Sequence, residues 1–201
     1  MAYERFFETI RIENGHVCNI SYHQNRFTRT SELDFDLLSF INPPKEGIYR
    51  CKVIYDKKQI SDVIYYRYKQ RKIASLKPVR IDFSYEKKYL ERSMIDRVFE
   101  QRGECDEILM CRGTLICDTS IANVAFYDGR DWFTPKKPLL YGTTRERYIE
   151  TGKLTEADIE IDSIKEFSHI AFMNAMIDFD IMSIEKIEKD IIRVDKYNER
   201  L

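Results

Sequence analysis

Between Cys105 and Arg145 several polar residues stand where folding alone gives little reason for them. Asp118 follows the apolar run Leu115-Ile116-Cys117 directly, the small stretch Thr119-Ser120-Ile121-Ala122-Asn123 comes next, and Gly142-Thr143-Thr144 opens a helical pattern at Arg145. Backbone N–H groups at such a helix start are unpaired and suit a phosphate. Upstream, His23 and Arg26 are three residues apart and share a face if their segment is helical. Lys87 and Lys88 lie between a strand pattern and a helical pattern, a position from which an amine can project into a cleft. Each group also has a plainer reading. His23 and Arg26 can be surface residues, and Asp118 can close an Asx-type turn through Thr119 or Ser120. The lysines can be solvated at a helix start, although the helix dipole disfavours cations there.

The elements that must position these groups are legible from periodicity. Phe6–Ile12 and His16–Ile20 flank Asn14-Gly15, a pair suited to the positive φ values of a tight hairpin turn. Ser21 can cap a helical segment that breaks near Ser31 and ends at Pro43-Pro44, and residues 48–56 and 59–68 form a second hairpin. Ile73–Pro78 reads as a linker, and Val79–Phe83 as a strand with Val79, Ile81 and Phe83 inward. Leu90, Met94, Ile95, Val98 and Phe99 recur at helical spacing before Gly103. Two β-rich runs pinch at Arg112-Gly113, and Val124–Tyr127 and Trp132–Thr134 are short strands around Asp128-Gly129. A helix ends at Gly152, a strand and short helix follow over residues 157–167, and His169–Ile187 holds two strands separated near Asp178.

Composition narrows the class. The 201 residues carry 33 basic and 34 acidic side chains, a net charge of −1 that gives no support to nucleic-acid binding by bulk electrostatics. Five cysteines lie along strands without CxxC spacing, so they read as small buried hydrophobes of a reducing compartment, and no metal site is expected. No run has the length of a signal-peptide core or a membrane span, and a cytoplasmic protein is expected. Thirteen tyrosines and twelve phenylalanines supply apolar area for interfaces as well as cores.

Taken together, these residues resemble the class IV aminotransferases, pyridoxal phosphate enzymes that include branched-chain and D-amino acid aminotransferases and 4-amino-4-deoxychorismate lyase. The resemblance is carried by Asp106-Glu107 opening a strand, Asp118-Thr119-Ser120 with Asn123, Thr134-Pro135, and Gly142 through Arg145, four elements in order. His23 and Arg26 after an opening hairpin, and Lys88-Tyr89-Leu90-Glu91-Arg92, extend it over most of the chain. Two positions depart from the family pattern: Asp118 stands for the usual Glu, and Glu91 for the usual Asn or Asp.

The resemblance implies an α/β, two-domain class IV fold resembling D-amino acid aminotransferase. A small N-terminal domain would cover residues 1–74 and a larger cofactor-binding domain residues 75–201, with pyridoxal 5′-phosphate held between them. It assigns Lys88 as the Schiff-base lysine and proton carrier, Arg26 as a phosphate ligand with His23 in support, and Asp118 as the partner of the ring nitrogen. Thr143 and Thr144 would bind phosphate mainly through backbone N–H, Asn123 belongs to the cofactor loop, and Asn174 is a phosphate candidate or a turn residue. Arg145 is expected to pair with a carboxylate or pack its helix. Arg50, or Lys52 on the opposite face of its strand, could meet the carboxylate of a small amino substrate, against a reading as strand-surface charge. The expected partner is a second copy of the chain, with no nucleic acid and no membrane. The expected activity is pyruvate elimination of the 4-amino-4-deoxychorismate lyase kind. The alternatives are amino-acid transamination and a non-catalytic binding role.

Overall fold

In the computed structural model, which describes residues 4–188 and 190–197, the chain forms two compact units. One comprises Met1–Gln70 with Tyr85–Arg92, the other Arg71–Ser84 with Ser93–Leu201. A single cut near residue 74 does not describe this division, because the segment carrying Lys88 returns to the first unit. It is held there by backbone bonds, from Phe7 N–H to the Lys88 carbonyl at 2.9 Å and from Leu90 N–H to the Arg5 carbonyl at 2.8 Å.

The first unit is a four-stranded antiparallel sheet with one helix. Strands β1 (Phe6–Glu13), β2 (His16–Val17), β3 (Ile48–Tyr55) and β4 (Ile60–Arg67) take the order β2-β1-β3-β4, and helix α1 covers Ile20–Ser31. Asn14 and Gly15 at the β1–β2 turn have φ 48° and 82°, the left-handed pair the tight turn requires. Alternation along β1 sends Phe6, Glu8, Ile10 and Ile12 inward, against Phe27 of α1 and Cys51, Val53 and Tyr55 of β3. Ser21 lies inside α1, whose N-cap is Asn19.

The second unit holds a nine-stranded sheet. After β5 (Ser75–Arg80) and helix α2 (Ser93–Phe99) come β6 (Glu107–Arg112), β7 (Leu115–Thr119), β8 (Asn123–Tyr127) and β9 (Trp132–Pro135). Helix α3 (Thr143–Glu150), β10 (Thr155–Ala157), β11 (His169–Asn174), β12 (Asp178–Glu188) and β13 (Ile191–Lys196) follow. The order is β10-β9-β8-β11-β12-β13-β5-β6-β7, and a further pairing of β7 with β8 closes seven of these strands on themselves. The closing pair is Asp118 opposite Asn123. Leu109, Val124, Phe126, Ile170, Phe172, Met182 and Ile192 belong to one buried apolar cluster, which makes the closed sheet a packed core.

Two local expectations change. Ser75–Leu76 is no linker, because β5 pairs there with both β13 and β6. Pro78 is compatible with this strand because the β13 pairing stops at Leu76, so its missing N–H falls where only β6 is a partner. The second is the helix expected from Leu90, which begins at Ser93. Lys88 therefore lies outside the helix, at the centre of a tight turn closed by Tyr89 N–H to the Lys87 carbonyl at 2.9 Å. Among the described residues, no helix is long and apolar enough to cross a membrane.

Candidate active site

In the first unit, His23 and Arg26 converge on a carboxylate that sequence reasoning missed. Glu8 is fully buried on β1. Its Oε1 accepts from Arg26 Nε at 2.8 Å, and its Oε2 accepts from Arg26 Nη2 at 2.5 Å and lies 2.7 Å from His23 Nδ1. Burial alone would raise the Glu8 carboxyl, but the Arg26 charge and the bonds from His23 and Arg26 hold it at about 2. His23 is pushed below its ordinary range, first by burial and then by the Arg26 and Lys88 cations, against the pull of Glu8. A neutral His23 beside a carboxylate must donate from Nδ1, which leaves Nε2 as an acceptor. Lys88 is within electrostatic reach of this cluster, and its Nζ lies 4.8 Å from the centre of the Phe7 ring. His23 and Arg26, three residues apart on α1, thus share the Glu8 carboxylate. The available signal for Glu8 was parity: it shares the inward face of Phe6, Ile10 and Ile12, where an unpaired carboxylate would be costly.

In the second unit, the Asp118–Asn123 loop is built from its own side chains. Thr119 Oγ1 donates to the Ala122 carbonyl and accepts from Ala122 N–H, both at 3.0 Å, so a threonine turn closes the loop and leaves Asp118 for other work. Asp118 Oδ1 accepts from Asn123 Nδ2 at 2.7 Å, while Oδ2 accepts the backbone N–H groups of Leu139 at 2.8 Å and Leu140 at 2.9 Å. Burial pushes the Asp118 carboxyl up to about 7, against the lowering effect of the Asn123, Leu140 and Leu139 bonds and the Arg145 charge. Asn123 Nδ2 also donates to the Leu140 carbonyl at 2.8 Å. Two residues further, Gly142 is the N-cap of α3, and Thr143 and Thr144 in its first turn are buried. Glu107, also buried, accepts from the Ser120 N–H at 3.3 Å and pairs with Arg71.

The remaining nominated residues are engaged within the protein. Asn174 Oδ1 accepts from Met176 and Ile177 N–H at 2.9 and 3.1 Å, and its Nδ2 donates to the Ile121 carbonyl at 3.1 Å, so it forms the β11–β12 turn. Arg145 donates to Glu156 at 2.6 Å and to the Pro135 carbonyl at 2.8 Å. Arg50 is exposed, with its guanidinium 4.7 Å from the Tyr66 ring centre. Lys52, expected on the opposite face, lies on the same face as Arg50 because residues two apart along a strand share a face, and its Nζ is 4.8 Å from the ring of Phe7 that also receives Lys88.

This closed sheet, with a carboxylate at its seam and a helix start at Gly142 whose Thr143 and Thr144 are buried, is the fold of pyridoxal-phosphate enzymes of type IV. The model of the family described as Amino-transferase class IV matches residues 86–187, and the chain belongs to that family. A crystal structure of a candidate 4-amino-4-deoxychorismate lyase from Haemophilus somnus superposes with a TM-score of 0.80 at 32% identity, covering 88% of this chain and 98% of that one. An uncharacterized protein of Haemophilus influenzae is 36% identical over 182 residues, 85% of this chain and 96% of that protein. A hypothetical aminotransferase of Mycobacterium tuberculosis in its PLP-bound form shares the fold, with a TM-score of 0.68 at 13% identity over 88% of this chain and 79% of that one.

Proposed function

We propose that this protein is a pyridoxal-phosphate enzyme that eliminates pyruvate from an amino substrate, in the manner of 4-amino-4-deoxychorismate lyase. The observation that carries the reading is the likeness, at 32% identity over 98% of its length, to the Haemophilus somnus protein of that description. The local chemistry fits the cofactor. Lys88 is an amine within electrostatic reach of the buried His23, Asp118 is a buried carboxylate with raised proton affinity, and Gly142 lies where an added Cβ would come within 2.0 Å of Asn123 Oδ1.

When bound, pyridoxal phosphate supplies an electron-withdrawing ring that can take up the electron pair released at a substrate's α-carbon. Lys88 would hold the cofactor through Nζ and, once displaced by substrate, take the α-proton there. Arg26 would meet the phosphate, fixed by Glu8 and with His23 packed beside it. The backbone N–H groups of Thr143 and Thr144 would add the donors that a first helical turn leaves unused. Asp118 would share a proton with the ring nitrogen. Its Oδ1 accepts from Asn123, and a carboxylate oxygen has a second lone pair to offer. Asn123 and Asn174 would shape the loops around the cofactor, and Arg50 would face a substrate carboxylate. A homodimer is part of this reading, as is work in the cytoplasm.

The purified protein should release pyruvate and 4-aminobenzoate from 4-amino-4-deoxychorismate without any 2-oxo acid present. Turnover that instead requires a 2-oxo acid acceptor would replace the lyase by an aminotransferase using the same residues.

A further inference from the structure

The aspartate that departs from the family pattern does more in this chain than face a ring. Both of its oxygens are engaged: Oδ2 receives two consecutive backbone N–H groups, Leu139 and Leu140, and Oδ1 receives the Asn123 amide. The same amide nitrogen bonds the Leu140 carbonyl, so Leu140 is gripped at its N–H by Asp118 and at its C=O by Asn123. Gly142 closes the arrangement. A Cβ built on it would stand 2.0 Å from Asn123 Oδ1 and 3.2 Å from its Cγ, so the backbone entering α3 lies directly on the Asn123 side chain. Asp118 and Asn123 are themselves the register pair that joins β7 to β8. The seam of the closed sheet and the start of α3 are therefore one hydrogen-bonded piece.

We propose that Asp118 and Asn123 are positioning residues that clasp residues 139–142 and thereby set where the N–H groups of Thr143 and Thr144 present themselves to the cofactor phosphate. The inference rests on the cofactor reading above. It assigns Asn123 to the protein side of the site, acting through Leu140 and Gly142. It also gives the shorter acid a role: a carboxylate one methylene shorter than Glu stays close to its own strand, where the Leu139 and Leu140 amides reach it. The cost of opening the clasp is high because Asp118, Asn123 and Leu139 are buried, and a buried acceptor left without its donor loses more than the bond itself.

The test compares binding of pyridoxal phosphate with binding of pyridoxal, which lacks only the phosphate, by absorbance titration of the full-length protein. The wild-type protein should prefer the phosphorylated form strongly. Asn123→Ala should weaken pyridoxal phosphate about tenfold, the scale of one or two buried hydrogen bonds, while changing pyridoxal little. Asn123→Asp, nearly the same shape but without the amide donors, should lower the same ratio, and it serves if the alanine variant does not fold. Gly142→Ala should lower the ratio too. In the double variant with Asn123→Ala, where the obstructing side chain is gone, the two effects should not add. A wild-type preference that persists unchanged in both Asn123 variants overturns the clasp and leaves the cofactor reading standing. A wild-type protein that binds both forms equally removes the cofactor reading and the clasp with it.

Discussion

At the scale of single residues, Glu8 is the side chain on which the first unit's polar cluster depends. Replacing it by Gln leaves the Arg26 charge buried without its counter-charge, a change that typically costs roughly 3–5 kcal/mol. The pH dependence follows from the direction of its shift. The folded carboxyl titrates at about 2, below its ordinary value of 4.5, so the folded state gives up this proton more readily than the unfolded chain. Its stabilisation is whole above the ordinary value and is lost as pH falls through about 2. Urea unfolding of wild type and Glu8→Gln should therefore show a gap at neutral pH that narrows on acidification, whereas a constant gap would mean that Glu8 acts through shape alone. Glu8 went unnoticed in the sequence because FETIRI reads as an ordinary strand. His23 and Arg26 were visible only as a spacing, and the carboxylate that joins them lies 15 and 18 residues away across the hairpin.

At the scale of elements, the hairpins and short strands were readable because their turns use residues with a mechanical reason to be there. Asn14-Gly15 supplies two positive φ values, and Gly113 takes φ 65° between β6 and β7. Boundaries were harder where tertiary pairing overrode local pattern. Ser75 and Leu76 look like connector residues, but two neighbouring strands bind them, and Leu76 is fully buried. Leu90 fits the helical period of Met94 and Val98, yet its N–H goes to the Arg5 carbonyl, which ties it to the first unit and keeps it out of the helix. Strand β11, flanked by β8 and β12, places Phe172 in the buried cluster of the closed sheet. Phe172→Ala should destabilise the protein by about 3–5 kcal/mol in chemical denaturation, as large-to-small changes in packed cores do. A loss below about 1 kcal/mol would show that this interior relaxes around the void.

At the scale of the whole molecule, the candidate residues are not divided between the two units in simple chain order. Arg26 and Lys88 belong to the first unit although the chain enters the second between them, and Asp118, Asn123, Thr143 and Thr144 belong to the second. Periodicity could not reveal this return, because residues 85–92 join the first unit through main-chain hydrogen bonds and the packing of Tyr89 on Phe6, neither of which follows a helical or strand period. The ordered motifs carried the family and the fold, and the family match spans residues 86–187. They did not carry the loop mechanics: nothing in the pattern from Asp118 to Asn123 indicates that both side chains reach Leu140.

Lys88 is the residue on which the proposed chemistry turns, and it can be tested directly. Pyridoxal phosphate is added to the purified protein, the visible spectrum is recorded, and the sample is reduced with borohydride and digested for peptide mapping. A yellow bound-cofactor band is expected and, after reduction, the cofactor fixed on the peptide at Lys88, with no fixation in Lys88→Ala. Absence of the band with cofactor in excess, or fixation undiminished in Lys88→Ala, would contradict the proposed chemistry.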